Sequence, residues 1–373
     1  MKKHRKFLVM IVCIAAFSAI SCKKDAPVNH NQACINQMKA VTDSIIDNTH
    51  VPGIVALVVD HKRGFDWMYT TGVSDKVTKA PMDSNYTFRI GSNSKPFLGT
   101  ILLQLVDERK LALTDKLSRF YPGFPKSDSI TIAMLCNMTS GIFDFFYDQQ
   151  FINSYTSDPL KVFSPQELAD LGFGNPFTFS PGAGWNYSNT NALILGMIIE
   201  QITGNTLETE ISNRILIPLQ LNNTGCQRSG ANFPGPHARG YYFPDLNNYG
   251  DMTEPYDISR AWACGSMYST PRDLQKFAEQ LAGGGFLSDS LQFRRLNDMR
   301  VTGGLFGSYG LCLLKHGSFY GHGGTLWGFT SVMFHSNEKN CTIIIYFNCD
   351  LETTIHPLNL FLLYANILYG KNF

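Results

Sequence analysis

Ser92 and Lys95 stand three residues apart in the stretch Arg89-Ile90-Gly91-Ser92-Asn93-Ser94-Lys95, which runs straight into a helix-patterned apolar segment at 97–106. At a helix start this spacing puts both side chains on one face, about 5 to 6 Å apart at Cβ. A serine hydroxyl needs a base to become a nucleophile, and a neutral lysine amine held beside it supplies one. The free N–H groups and dipole of the helix N-terminus favour negative charge developing near Ser92. The same S-x-x-K spacing recurs at Ser21 with Lys24 and at Ser336 with Lys339. Taken alone, then, the pair reads more readily as an N-cap serine followed by a solvated lysine.

Two later clusters give the pair a context. Phe179-Ser180-Pro181-Gly182 leads to Tyr187-Ser188-Asn189 just before a helical pattern at 191–201, and Tyr320-Gly321-His322-Gly323-Gly324-Thr325 precedes a strand pattern. Each has a plain structural reading: a buried tyrosine at 187, a helix N-cap at Asn189, a turn at 322–324. The nucleophile elbow G-x-S-x-G, the zinc helix H-E-x-x-H and the phosphate-binding P-loop are absent from the sequence.

The ordered set S-x-x-K, Y-S-N and H-x-G resembles the serine β-lactamase and penicillin-binding-protein superfamily, in the branch of class C β-lactamases, D-alanyl-D-alanine carboxypeptidases and related esterases. Segments at 111–121, 131–142 with Thr139-Ser140-Gly141, Pro218-Leu219 and 265–277 resemble the connecting segments of that family, so the resemblance covers nearly the whole chain after its first thirty residues or so. It implies a β-lactamase/transpeptidase-like fold with Ser92 as the acyl-forming nucleophile, Lys95 as its base or proton relay and Tyr187 as the proton shuttle to the leaving group. Asn189 would orient Lys95 and the substrate amide. The backbone N–H groups of Ser92 and Thr325, beside Gly324, would form the oxyanion hole, with His322 adding polarity along the substrate strand. One departure is informative: the third motif carries His322 in place of Lys and Gly323 in place of Thr or Ser. Gly323 removes a hydroxyl that in many members holds a substrate carboxylate, which argues against strict carboxypeptidase and potent β-lactamase activity.

The elements that must position these residues are legible as patterns. Apolar positions Ile35, Met38, Val41, Ile45 and Ile46 predict a helix over 34–46, stopped by Pro52-Gly53. A hairpin is expected from 54–59 and 65–71, and strands at 309–314, 318–322, 328–335 and 341–347 before a closing helix at 357–369. The middle is helical, with patterns at 97–106, 165–171, 191–201 and 271–281; Ser164-Pro165-Gln166-Glu167 reads as a capping box. Strands at both ends around a helical middle predict an α/β (α+β) fold: one antiparallel β-sheet formed by N- and C-terminal segments, flanked by helices, with an inserted mainly helical lobe. The expected division is an α/β lobe at 32–90 plus 265–373 and a helical lobe at 91–264, together one domain.

Composition narrows the partners. Of 373 residues, 31 are Lys or Arg and 30 are Asp or Glu, a net charge of +1 with 44% hydrophobic residues. That is globular composition without the basic footprint of a nucleic-acid binder. Residues 1–21 read as a signal peptide: Lys2, Lys3, Arg5 and Lys6 precede a nearly unbroken apolar run at 7–20, shorter than the about 20 residues of a spanning helix. Ala19-Ile20-Ser21-Cys22 resembles a bacterial lipobox, which implies lipidation at Cys22, a polar tether at 22–31 and membrane contact by lipid anchor only. A soluble exported protein cut near the same place is the other reading.

Nine cysteines are present, two of them Cys13 and Cys22, and no C-x-x-C motif suggests zinc or redox chemistry. Most read as small buried hydrophobes, and one disulfide among Cys312, Cys341 and Cys349 is compatible with an oxidising compartment. Together these readings predict an exported serine hydrolase without metal or organic cofactor. It would act through an acyl-enzyme on a small peptide, β-lactam or ester, foremost a D-amino-acid peptide of the cell wall. A carboxylesterase or class C-like β-lactamase is the alternative among enzymes, and a non-catalytic sensor of cell-wall peptides or penicillin the alternative of another class.

Overall fold

A computed structural model describes residues 27–243, 248–302, 307–351, 356–371 and 373. The expected signal peptide, Cys22 and the first part of the tether lie outside the described residues. Eleven elements position the site, in chain order α1 (Pro27–Asn48), β1 (Gly53–Asp60), β2 (Phe65–Gly72), α2 (Ser94–Asp107), α3 (Asn189–Thr203), α4 (Pro271–Gly283), β3 (Leu314–His316), β4 (Phe319–Leu326), β5 (Phe329–Ser336), β6 (Cys341–Phe347) and α5 (Pro357–Tyr369).

The six strands form one antiparallel sheet in the order β3-β4-β5-β6-β1-β2. Its seam joins the two ends of the chain, with β1 paired to β6 from Ile54 against Phe347 to Asp60 against Cys341. Every residue of β1, β5 and β6 is buried, because helices cover both faces, and β1 and β6 read as nearly continuous apolar runs. Period-two alternation sorts their side chains into two cores. Val55, Leu57, Val59, Met333, Ile344 and Tyr346 face the core shared with α2 and α4; Ile54, Ala56, Val58, Val332, Phe334, Ile343 and Ile345 face Met38 of α1 and Phe361 of α5. Ser164 caps the helix Pro165–Gly174 in the capping box the sequence predicts, its hydroxyl accepting from the Glu167 N–H at 3.1 Å.

Several boundaries differ from the sequence patterns. Helix α1 begins at Pro27, inside the segment expected to be a polar tether. The strand expected at 309–314 is split into Ser308–Tyr309 and β3, because Cys312 between them adopts φ +57°, a left-handed turn conformation that no strand accommodates. The strand expected at 318–322 runs on to Leu326, so His322-Gly323-Gly324-Thr325 lies within β4 instead of ahead of a strand. Two-residue strands in the middle of the chain, such as Phe88–Arg89 and Gly225–Cys226, leave no periodic trace. All seven described cysteines are free thiols. No helix of the described residues is long and apolar enough to cross a membrane.

Candidate active site

Ser92 sits in a single 3-10 turn, Gly91–Asn93, that leads directly into α2. Gly91 adopts φ +52°, and a Cβ there would stand 2.7 Å from the Thr325 carbonyl oxygen. Gly324 is equally constrained, since its Cβ would meet the Ile90 carbonyl oxygen at 1.9 Å. Two glycines therefore let β4 press its backbone against the Ser92 turn. Ser331 of β5 fixes the approach, donating to the Ile90 carbonyl at 2.9 Å and accepting from the Asn93 amide at 2.8 Å.

From the helical side, two groups converge on the Ser92 hydroxyl. Lys95 Nζ donates to Ser92 Oγ at 2.9 Å, and Tyr187 Oη donates to the same oxygen at 2.8 Å. The other two Lys95 protons go to Asn189 Oδ1 and the Cys264 carbonyl, each at 2.8 Å. Asn189, the first residue of α3, is in turn held by its Nδ2 donating to Asp144 Oδ2 at 2.9 Å. Asp144 is pinned as the cap of a short turn, accepting from the Phe146 N–H at 3.1 Å.

Burial separates the two groups by their readiness to take up a proton. Lys95 is fully enclosed, and desolvation pulls its amine down to about 8, against a partial lift from the Asp144 charge. Relative to an ordinary lysine, that raises the neutral fraction at pH 7 by about 300-fold. Burial pushes the Tyr187 phenol well above its usual range, only partly offset by its bond to Ser92. The phenol is thus held as a proton donor, and the amine is the group that can accept the Ser92 proton. When Lys95 is neutral, its Nζ becomes the acceptor for the Ser92 hydroxyl.

The third motif is placed differently. His322 is buried, its ring centroid 6.2 Å from that of Tyr187 and 5.7 Å from that of Tyr309, instead of lining open space along the strand. Its Nδ1 donates to its neighbour's Gly323 carbonyl at 2.5 Å, leaving Nε2 to accept from the Tyr309 hydroxyl at 3.4 Å. Burial, with the Lys95 charge adding to it, drives the imidazole down to about 3, so it is neutral at physiological pH. Thr325 is exposed, its hydroxyl 3.3 Å from His356 Nε2. A Cβ at Gly323 would meet His356 Cε1 at 3.6 Å, the Ser331 carbonyl oxygen at 3.8 Å and Val332 Cγ1 at 3.9 Å, all ordinary contact distances.

An aromatic wall is built from residues close in the chain to Asp144 and Thr325. Phe146, two residues beyond Asp144, meets Trp327, two residues beyond Thr325, with ring centroids 5.7 Å apart, and Tyr155 packs on Trp327 at 5.8 Å. The buried Arg260 guanidinium stacks 4.9 to 5.1 Å from the Tyr155, Tyr256 and Trp327 rings and holds the wall rigid.

The structure thus brings Ser92, Lys95, Tyr187 and Asn189 together and lays Gly324 and Thr325 beside them through backbone. Sequence reasoning missed Asp144, the Cys264 carbonyl, Tyr309 and the aromatic wall. A carbonyl acceptor leaves no trace in residue type, and Asp144 signals only as a turn cap before two phenylalanines. Among the described residues, no cluster of three or more His, Cys, Asp or Glu side chains could hold a metal ion.

Comparison with known proteins bears on this arrangement. The model of the Beta-lactamase family matches residues 33–362. Penicillin-binding protein 4* of Bacillus subtilis is 25% identical over 327 residues, covering 83% of this chain and 71% of the relative. The chain spans only 65% and 41% of the next curated relatives. Among solved structures, a D-stereospecific amidohydrolase from Streptomyces superposes with TM-score 0.75 and 28% identity over 87% of this chain and 95% of that one. The D-amino acid amidase of Ochrobactrum anthropi in complex with D-phenylalanine superposes with TM-score 0.79 and 26% identity over 90% and 99%.

Proposed function

This chain belongs to the beta-lactamase family and is a serine hydrolase, and from that premise we propose that it forms an acyl-enzyme on Ser92 with a D-amino-acid peptide or amide of cell-wall type. The observation that carries the reading is the convergence of Lys95 Nζ and Tyr187 Oη on one serine oxygen at 2.9 and 2.8 Å. The Ser92 proton passes to neutral Lys95 as Oγ bonds to the substrate carbonyl carbon. The oxyanion so formed faces the backbone N–H groups of Ser92 and Thr325. Tyr187 gives its proton to the departing nitrogen as the C–N bond breaks, and Lys95 returns a proton to Tyr187. Water then cleaves the ester by the reverse relay.

Two observations shape the substrate. The missing hydroxyl at Gly323 favours a neutral amide or ester end over a free carboxylate, so the D-alanyl-D-alanine carboxypeptidase reading is the narrower one. The Phe146–Trp327 contact, two residues beyond Asp144 and Thr325 in the chain, would suit an apolar side chain on the acyl side. The relatives' names point the same way, since the superposed enzymes are a D-stereospecific amidohydrolase and a D-amino acid amidase. The decisive assay compares D- and L-amino-acid amides, D-Ala-D-Ala peptides, short-chain esters and nitrocefin side by side. D-amides and D-peptides are expected to lead, and equal rates on both stereoisomers or a clear preference for nitrocefin or esters would replace the reading with β-lactamase or carboxylesterase. Export and lipidation belong to the same proposal: radiolabelled palmitate should enter the wild type and not Cys22→Ala.

A further inference from the structure

Cys312 combines two unusual features. It is a non-glycine residue at φ +57°, a conformation that is unfavourable for a side-chain-bearing residue and persists where the surroundings enforce it. It is also met by a second buried cysteine. The Cys312 N–H donates to the Cys136 carbonyl at 3.0 Å, which sets the two buried residues side by side.

The surroundings are specific. Cys136 ends the helix Ile132–Cys136, and Cys312 forms the turn before β3. The Cys312 side chain rests on α2 at Gly99, where an added Cβ would stand 2.6 Å from Cys312 Cβ and 3.2 Å from its sulfur. Gly99 is one helical turn beyond Lys95, on the same face of α2. Arg295, buried beside both thiols, donates to Thr100 Oγ1 at 2.9 Å and to the Pro96 carbonyl at 3.1 Å. The contact with Cys136 and, after it, the Arg295 charge lower the Cys312 thiol.

We propose that Cys136 and Cys312 are a dithiol that closes to a disulfide, stapling the helix Ile132–Cys136 to the turn 310–313 over α2. The oxidant is an external small-molecule disulfide. The Cys312 thiolate attacks one of its sulfurs and releases one thiolate. Cys136 then loses its proton to solvent and attacks the Cys312 sulfur, displacing the second thiol. Two protein thiols are oxidised, one external disulfide is reduced to two thiols, and no other bond changes. Both sulfurs are closed off from solvent, so exchange occurs during folding or local opening.

The test is to refold the purified full chain with oxidised glutathione or with dithiothreitol, alkylate free thiols and map the peptides. The expected result is a linked pair of peptides carrying Cys136 and Cys312, with both positions losing alkylation together. The oxidised form should melt on the order of 5 °C or more above the reduced form, since the closed loop is long. Cys312→Gly suits the left-handed position and should fold, with a melting temperature independent of redox state; Cys136→Ser should behave alike. Alkylation of both thiols after oxidation, or either one linked to a different cysteine, overturns the proposal.

Discussion

On the helical side of Ser92, charged and polar side chains are spent densely. Lys95 uses all three of its protons, Asn189 links it to Asp144, and Tyr187 shares the serine oxygen. On the sheet side, β4 brings glycines and peptide groups, and its histidine, His322, is buried and held neutral. The two regions divide the work accordingly. A proton relay depends on pKa tuning and needs side chains in a dry site, whereas an oxyanion site needs close, rigid N–H groups and is served best by residues with no side chain in the way. Residue type therefore governs the first region and space governs the second.

Substitutions on the two sides should fail in different ways. Lys95→Met or Tyr187→Phe should each cost about three orders of magnitude or more in kcat, and the double variant little more than either alone, because the two act as one unit. Losses that multiply would split the relay into independent contributors. On the sheet side, Gly324→Ala forces β4 away from the Ile90 carbonyl and should cost about 100- to 1,000-fold, the scale of a lost oxyanion donor. Measured Tm should fall as well, in contrast to Tyr187→Phe, which changes no packing volume of consequence.

Gly323→Thr tests the missing hydroxyl directly. Its φ is ordinary and its nearest neighbours are at van der Waals distance, so the variant should fold. A hydroxyl meeting a carboxylate is worth about 1.5 to 3 kcal/mol, which predicts a gain of about ten- to a hundredfold in kcat/KM for free-acid peptides over their amides. An equal change for both would place the carboxylate elsewhere. Because His322 is neutral at physiological pH, the acid-to-amide preference should not change between pH 5.5 and 7.5.

The smallest effect expected is a shift in pH profile. With the Lys95 amine at about 8, kcat/KM should rise with pH along a limb centred there, as the neutral base forms. The Asp144 charge lifts that amine, so Asp144→Asn should move the limb to lower pH while reducing the rate about tenfold through a less firmly held Asn189. A limb that stays in place would show that Asp144 acts on Lys95 through position alone.

Much of this was legible in the sequence, and unevenly. The continuous apolar runs that became β1 and β6 marked strands buried on both faces, and Ser164 with Glu167 marked a helix start. Ser92, Lys95, Tyr187 and Asn189 stood out because proton chemistry restricts residue type. His322 stood out too, yet its direction depends on the phase of β4, which a motif of four residues does not set. Cys312 was misread as a strand residue because its left-handed φ is imposed by packing against Gly99 and Cys136, contacts distant in sequence. The Cys264 carbonyl and the Phe146–Trp327 contact are likewise products of the assembled fold.

The claim that ties these regions together is that Ser92 Oγ becomes the acyl carrier. Incubation with a fluorescent penicillin or a fluorophosphonate, followed by proteolysis and peptide mapping, reads this directly. The account predicts a single covalent adduct on Ser92, formed faster as pH rises through about 8 and absent from Ser92→Ala, whose fold is retained. Label on any other residue, or undiminished turnover of a D-amino-acid amide by Ser92→Ala, would contradict it.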